Sequence, residues 1–588
     1  MIIDPKDISS NVIAGEVCII GAGPAGIVLA LELERHGIAS VLLESGLEKY
    51  TPGRSELSEA AIVNDEGSHR PMGTAVRRQL GGNSSVWGGR CVALDPVDFE
   101  SRSHVPFSGW PIGLSDLEGY FQRACDYTLS GKADFSVRSA LPDTYPGLIA
   151  AMKEDDVIMA NLERWSPPVD FGKQYYEHLK RSAKITLILD ATCTEIDFAA
   201  EAGAVSSVII QSLVTGRRSL VTANSYIVAA GALETTRLLM NSDKRHKGGV
   251  GNHSGKLGRF YMGHLEGAIA DVQLGSSPDK AAYDVGKDPD GVYCRKRIAL
   301  SPEVQRREKL LNCVFWLDNL PINDPRHRNG ILSTAYLALS TPTLRRMLAP
   351  PTYVKALTQN TRYHAVPQHL ANVLRSMPST LAFIGPFLYR RYFAERKIPR
   401  FYVHSKANRY ALAYHAEQAP SETSRLYLAD EKDSLGMRRL TIDLRFSPLD
   451  FDSIIRSHVV LDDHLKEHGY GRLDYRGGDL EALIIADTKK YKLGCHPIGT
   501  TRMSAHPSDG VVDTDCKVHG VQNLYVAGSS VFPTSGHANP TFMVLALAIR
   551  LARHIAAKPY MAARPLTLAA VEPAQPALAD AVCVGESA

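Results

Sequence analysis

The sequence has little of what marks disulfide-bonded, metal-binding or membrane-spanning proteins. Its nine cysteines in 588 residues stand singly, without a CxxC pair or zinc-type spacing, which argues against a disulfide framework and a structural metal. No apolar run reaches the roughly eighteen residues of a transmembrane helix. A net charge of +3 gives no global reason to expect a nucleic-acid partner. We therefore expect a globular protein in a reducing compartment, the cytoplasm.

A glycine-rich loop near the N-terminus has the pattern of a dinucleotide site. The apolar strand "VCII" leads into Gly21-Ala22-Gly23-Pro24-Ala25-Gly26, a helical stripe and a second strand that ends at Glu44. In this pattern the first glycine permits a tight turn, the second a close approach to pyrophosphate, and the third helix–strand packing. A carboxylate at Glu44 favours FAD or NAD over NADP, and the motif alone leaves those two open.

Two later segments favour the longer, flavin-bearing cofactor. "RRQLGGNSSVWGG" places Gly81 and Gly82 shortly after Arg78, and the small side chains of Ser84 and Ser85 follow. "NSYIVAAGALETTRLLMNS" reads as a strand that ends at Ala230-Gly231 and leads into a helix. A hairpin or bulge built from glycine pairs is the alternative interpretation of the first segment.

The C-terminal stretch "NLYVAGSSVFPTSGHANPTFMVLALAIRLARHI" reads as a strand, a small-residue loop and a buried helix. Pro540 suits the first helical position, where its missing N–H needs no partner, and Asn539 is then the expected N-cap. Capping alone is the simpler explanation for these residue types.

Together these segments, with "HPIGTTRM" before the last one, resemble the glucose–methanol–choline family of FAD-dependent oxidoreductases. "GGRCVALDPVDFESRSHVPFSGWPI" looks most like the branch with pyranose oxidases and bacterial sugar and polyol dehydrogenases. The resemblance implies that FAD contacts the glycine loops and several further positions: Ser45, Cys193, Gly528, Ser529, Asn539, Pro540 and Thr541.

The resemblance also implies the catalytic pair. In the family a histidine and a His or Asn partner face the substrate carbinol, and His496 and Asn539 match these positions. A neutral imidazole suits removal of the hydroxyl proton, and an amide can orient the hydroxyl. His537 is expected to be a supporting loop residue. Val86 stands where pyranose oxidases carry their flavin on a histidine, so we expect non-covalent FAD.

The expected fold class is α/β (α+β overall), with a Rossmann-like FAD-binding domain and an interleaved substrate domain of antiparallel sheet plus helices. The FAD-binding domain would comprise residues 12–105, 185–265 and 490–558, and the substrate domain residues 106–184 and 266–489. Residues 559–588, rich in alanine and proline, are expected to form a mobile tail.

Residues 325–409 form an unusually basic insertion whose only acid is Glu395. One interpretation is contact with an anionic membrane or an electron-accepting partner. The other, which we favour from sequence alone, is a set of helices that cap the active site with a solvated basic face.

The expected function is oxidation of a CH–OH group in a sugar, glycoside or polyol, with oxygen, a quinone or a protein as electron acceptor. Three alternatives use the same scaffold: a lyase-like enzyme, a non-catalytic flavoprotein, and a membrane-associated dehydrogenase subunit that passes electrons to a partner. The filled positions His496 and Asn539 disfavour a non-catalytic role.

Overall fold

A computed structural model describes residues 1–3, 12–63, 68–141, 152–159, 162–199, 203–281, 285–348, 365–400, 402–492, 494 and 496–558. The tail expected at 559–588 and residues 349–364 of the basic insertion lie outside this part of the chain.

The largest sheet has eight strands and joins segments from both ends of the chain. Its central strands are parallel, and two further strands extend it in antiparallel pairing. In spatial order the strands are Ile2–Ile3, Ile185–Ile188, Ser40–Leu43, Val12–Ile20, Arg218–Val228, Val205–Gln211 and Thr192–Phe198, with Leu524–Val526 also paired to Arg218–Val228. The apolar runs in the central strands arise because such strands are buried on both faces.

A second sheet of six strands is antiparallel throughout. Its order is Gly471–Tyr475, His264–Leu274, Arg409–Glu417, Cys313–Asp318, Ile298–Leu300 and Val157–Met159. Helices Pro448–Glu467 and Leu480–Tyr491 pack on it through Ile454, Leu461 and Ile484, which share its apolar core. The expected combination of a Rossmann-like sheet with an antiparallel sheet covered by helices is confirmed.

Two small sheets connect distant segments. One contains Gly286–Lys287, Tyr293–Arg295, Glu163–Trp165 and Arg90–Cys91, and the other Arg425–Lys432, Arg438–Asp443 and Ala60–Val63. The sequence "RLYLADEKDSLGMRRLTIDLRFS" predicts paired strands around a glycine turn. The antiparallel pairing of Arg425–Lys432 with Arg438–Asp443 confirms this.

The longer helices are Pro24–Arg35, Phe121–Thr128, Ala232–Asn241, Gly330–Ser340, Val366–Arg375, Met377–Leu388, Pro448–Glu467, Leu480–Tyr491 and Thr541–Ala556. Short helices are Met72–Ala75, Pro96–Phe99, Ser115–Glu118, Val137–Ala140, Phe171–Gln174, Tyr176–Arg181, Pro302–Arg307 and Pro342–Leu348. 3₁₀ turns occupy Pro52–Ser58, Gly82–Ser85, Pro278–Lys280, Pro325–His327 and Ser529–Val531, and a π turn Tyr389–Phe393. Among the helices of the described residues, none is both long enough and apolar enough to cross a bilayer.

The two helices that matter most for the site pack against each other. Pro24–Arg35 and Thr541–Ala556 are apolar along most of their length and share the core of the eight-stranded sheet. This contact brings the first glycine loop and the C-terminal loop to one edge of the sheet. The sequence-based domain boundaries stay a prediction.

Candidate active site

Glycine loops follow three neighbouring parallel strands at their carboxyl ends. Gly23 follows Val12–Ile20, Gly231 follows Arg218–Val228, and Gly528 follows Leu524–Val526. A Cβ atom added at any of these three glycines would meet no atom within 4 Å. Because ligands of parallel α/β sheets bind at this edge, the open backbone at these positions fits a dinucleotide.

The predicted tasks of the first glycines agree with the geometry of the loop. Gly21 has φ +109°, and a Cβ there would lie 2.6 Å from the carbonyl oxygen of Ala229. Any side chain would therefore push apart two adjacent strand ends. The second glycine motif packs directly on the first, since the Gly81 N–H donates to the Ala22 carbonyl at 2.9 Å.

Glu44 lies immediately after the strand Ser40–Leu43 and holds the glycine loop. Its carboxylate accepts hydrogen bonds from the backbone N–H groups of Ala22 (3.1 Å) and Gly46 (2.7 Å). Burial raises the pKa of Glu44 to about 7, against the opposing effect of these hydrogen bonds. The carboxylate thus fixes the shape of the loop that faces the cofactor.

Several polar residues expected at the cofactor use their side chains to hold protein loops together. Arg78 donates to Glu234 at 2.7 Å and to the Ser45 hydroxyl at 3.0 Å. The hydroxyls of Ser84 and Ser85 donate to the carbonyls of Gly81 and Gly82. Cys193 lies in the strand Thr192–Phe198, where burial raises its pKa to about 12. Cofactor contacts of these residues stay a prediction.

His496 and Asn539, 43 residues apart in sequence, meet beside the glycine loops. The Asn539 Nδ2 lies 3.2 Å from the His496 Nε2. The loop that carries His496 is fixed to its surroundings because the Ser529 hydroxyl donates to the Pro497 carbonyl at 2.6 Å. The pair expected from sequence is therefore assembled in the structure.

The expected N-cap role of Asn539 is wrong. The C-terminal helix begins at Thr541, its N-cap is Pro540 rather than Asn539, and no side-chain capping hydrogen bond is present. Pro540 accordingly precedes the first helical residue. The Asn539 Nδ2 contacts His496, and its Oδ1, the atom that would accept a capping hydrogen bond, has no hydrogen-bond partner among the residues that the structure describes.

His264, which the sequence reasoning missed, contacts the other side of His496. The two Nδ1 atoms are 3.1 Å apart, and the His264 Nε2 lies 3.3 Å from the Ser535 carbonyl oxygen. His264 begins the strand His264–Leu274, and Met262 just before it pairs with Ile498. The one signal in the sequence was a histidine at the start of an apolar strand. Its contact with His496 spans more than 230 residues and could not be read from the sequence.

The hydrogen bonds of His264 define the tautomer of His496. A carbonyl oxygen only accepts, so the His264 Nε2–H donates to Ser535. Burial and the neighbouring His496 hold the pKa of His264 well below its usual range, so this ring is neutral and its Nδ1 accepts. The His496 Nδ1–H must then donate to it. In neutral His496 the lone pair is consequently on Nε2, next to Asn539.

His496 itself is held neutral. Burial, followed by the positive charges of Arg90 and Arg70, lowers its pKa to about 3. A positive charge on this ring is disfavoured because the ring is partly removed from water and two cations lie nearby. The imidazole can therefore accept a proton at neutral pH.

A third histidine completes a compact cluster. His415 stacks on His264 with ring centroids 4.4 Å apart, and its Nδ1 lies 2.6 Å from the His537 carbonyl oxygen. His264, His415 and His496 each offer a ring nitrogen close enough to the others to share a metal ion. Both nitrogens of His264 already have hydrogen-bonding partners, so these contacts account for the cluster without an ion.

A buried charge network fixes the loop that carries Asn539. His537 is fully buried, with its Nδ1 3.0 Å from an Arg297 guanidinium nitrogen and its Nε2 2.7 Å from Asp95. Arg297 is in turn bound to the buried Glu163 at 2.9 Å. Both ring nitrogens of His537 are thus occupied by buried partners that hold its loop in place, and its expected role as a supporting loop residue stays a prediction.

Comparison with known proteins gives the same class of site. Residues 420–548 match the family model described as GMC oxidoreductase, and residues 14–64 match one described as FAD binding domain. The chain is similar to 6'''-hydroxyparomomycin C oxidase of Streptomyces lividus (23% identity over 92% of this chain and 91% of the relative). It is similar to paromamine 6'-oxidase of Streptomyces fradiae at 22% identity over the same shares.

Among solved structures, the fold resembles that of pyridoxine 4-oxidase from Mesorbium loti. The TM-score is 0.51 at 16% identity, over 93% of this chain and 100% of that chain. The glycine-lined strand ends and the matched FAD-binding segment define a flavin-dependent oxidoreductase. The chain matches the GMC oxidoreductase family model over residues 420–548, and its cofactor is FAD.

The variant Gly23→Val tests the position of the cofactor. A side chain at Gly23 meets no protein atom, so the protein should fold, but it would occupy the space needed by the pyrophosphate. We expect FAD content to fall at least about tenfold, measured by absorbance near 450 nm at unchanged thermal stability of the cofactor-free form. The control is Gly119→Val, at an exposed glycine that also has no neighbour within 4 Å. A yellow Gly23→Val protein would contradict the assignment.

Proposed function

We propose that the protein oxidises a CH–OH group of a sugar, glycoside or polyol, with His496 as the base. The observation that carries this proposal is the His496–Asn539 contact at 3.2 Å beside the open glycine loops. The names of the aminoglycoside oxidases, similar over nine-tenths of both chains, support a polyhydroxylated substrate. When bound, FAD supplies the hydride acceptor for the alcohol carbon.

His496 Nε2 accepts the hydroxyl proton as the carbonyl product forms. Without substrate, the Asn539 amide N–H donates to this lone pair. A substrate hydroxyl that donates to the same nitrogen would replace that hydrogen bond, which frees the amide to donate to the hydroxyl oxygen. The two side chains thus bind one hydroxyl between them and orient its C–H bond.

FAD is held without a covalent link in this proposal. The side chain at Val86, where the pyranose-oxidase branch has its linking histidine, has no nucleophilic atom and is 57% exposed. The helix Thr541–Ala556 begins directly after the loop that carries Asn539, and the partial positive charge of its N-terminal end would stabilise negative charge on a cofactor bound there. Yellow colour left in the pellet after acid precipitation would contradict non-covalent binding.

The substrate class is tested by anaerobic titration of the yellow holoenzyme with a panel of sugars, glycosides, aminoglycosides and simple alcohols. We expect bleaching near 450 nm by polyhydroxylated compounds, because the base and amide are arranged for a carbinol. A flavin indifferent to every alcohol would exclude this function and favour a lyase-like or non-catalytic role.

Replacing His496 with Ala removes the group that takes the hydroxyl proton. Flavin reduction measured by rapid mixing should slow by about 10²–10⁴-fold, the usual contribution of general acid–base catalysis. Asn539→Ala should slow it by about 10–100-fold through lost orientation, without weakening the following helix, since the helix is not capped by this side chain.

The matched control for both variants is His506→Ala, at an exposed histidine. Its flavin should be reduced at the parent rate. His537→Ala should affect the rate least among the site variants. FAD content should be equal in all proteins, so that a slow rate reports chemistry. A His496→Ala enzyme that bleaches at the parent rate would remove the proposed base.

His264 is proposed as the positioning residue that keeps the base on Nε2. His264→Leu removes the acceptor for the His496 Nδ1–H and should lower the limiting reduction rate by about 10–100-fold, the range for partners that orient a histidine. His264→Asn places an oxygen near the original Nδ1 and should recover much of the rate. The substrate concentration at half-maximal rate should change little.

The pH profile tests whether His496 is neutral, and the two His264 variants test whether His264 positions it or only fills space. Because the pKa of His496 is lowered to about 3, its imidazole stays neutral from pH 5 to 8 and the parent rate should be flat there. Equal losses of the limiting reduction rate in His264→Leu and His264→Asn would show that His264 only fills space. A parent rate that falls as pH drops below 6.5 would contradict a neutral buried base.

A further inference from the structure

The helix Met377–Leu388 is apolar and yet lies on the surface. Its sequence MPSTLAFIGPFL contains no charged residue. Thr380 is its one buried residue, and Leu381 is 65% exposed. A helix without polar faces normally lies in the interior of a protein. Its position indicates that another surface covers it.

The neighbouring elements extend the exposed apolar surface. Leu370 and Leu374 are exposed four residues apart on one helix, and Met377 and Leu381 four residues apart on the next, so each pair lies on one face of its helix. We define the docking face as the exposed side chains of Leu370, Leu374, Met377, Leu381, Leu388, Tyr389, Tyr392 and Phe393. Almost half of the large apolar side chains exposed on the described surface belong to this short segment. A patch this concentrated marks an interaction surface.

Cations surround the docking face. Arg375 ends the first helix, Arg390 and Arg391 lie between the exposed aromatic residues, and Arg396 and Lys397 follow. Glu395 is the only acid from residue 325 to 409. A solvated cap for the active site would expose mostly polar side chains, whereas here large apolar side chains are exposed beside the exposed cations Arg375, Arg390 and Lys397. The preference for a solvated cap, drawn from sequence alone, does not explain this.

Charge distinguishes the two surfaces that could cover the docking face, which are a second copy of the chain and an anionic bilayer. In a two-fold dimer the same patch meets itself, which would bring these cations together and cost energy. An anionic bilayer instead offers phosphates to the cations and acyl chains to the apolar side chains, with aromatic residues at the boundary.

We propose that the docking face binds the protein peripherally to an anionic membrane. Its leucines, Met377 and Phe393 enter the boundary between headgroups and acyl chains, while the arginines contact lipid phosphates. This proposal is independent of the substrate proposed above, because it concerns the docking face and its cations and not His496 and its partners.

The test is cosedimentation of the FAD-loaded protein with vesicles of phosphatidylcholine alone or with about 30% phosphatidylglycerol, which gives the vesicle surface a negative potential. We expect binding to the anionic vesicles at low salt, weakening at 0.5 M salt because the charge attraction is screened at this ionic strength. The double variant L381S/F393S should bind at least about tenfold more weakly, from the loss of two inserted side chains.

The control V214S/V459S changes two exposed apolar residues outside the docking face and should bind like the parent. An unchanged flavin spectrum verifies that each variant is folded. The proposal is overturned if the parent protein pellets with neither kind of vesicle. It is also overturned if L381S/F393S binds as strongly as the parent. A parent dimer that L381S/F393S dissociates, without vesicle binding, would show that a second copy covers the face.

Discussion

Parallel pairing between strands Val12–Ile20, Arg218–Val228 and Leu524–Val526 is the constraint on which the rest of the structure depends. Pairing in register brings three carboxyl ends, separated by up to five hundred residues, to one edge of the sheet. Each end continues into a glycine with open space beside its backbone. The cofactor cradle therefore exists only where the two ends of the chain meet, and the apolar contact between Pro24–Arg35 and Thr541–Ala556 stabilises that meeting.

The chemistry of the site follows from burial and from fixed hydrogen-bond directions. A carbonyl that can only accept, at Ser535, determines which nitrogen of His264 carries its proton, and His264 determines the tautomer of His496. Burial and two arginine charges keep His496 neutral. In the proposed reaction a strong base is not required, because the proton would leave the hydroxyl as hydride leaves the same carbinol.

The docking face differs in composition from the rest of the surface. Elsewhere the exposed residues are mixed and the charges are mostly paired, as in the salt bridges of Arg409 and Arg476 with Asp271. On and around the docking face, exposed apolar side chains lie among several cations, and Glu395 is the one acid from residue 325 to 409. This composition raises the free energy of the protein alone in water, and an anionic interface would lower it.

Local sequence determined the glycine loop at Gly21, the helix that follows it and the hairpin around the glycine turn at Gly436, since each depends on turn geometry, periodicity or a short motif. His496 and Asn539 were selected through the resemblance of their segments to a known family. Tertiary structure alone decided that Asn539 contacts His496 instead of capping its helix. It also decided that His264 sets the tautomer of His496, and that Met377–Leu388 stays exposed. These outcomes depend on which distant segments pack together, because one side chain has several partners within reach in sequence and only the assembled fold selects among them.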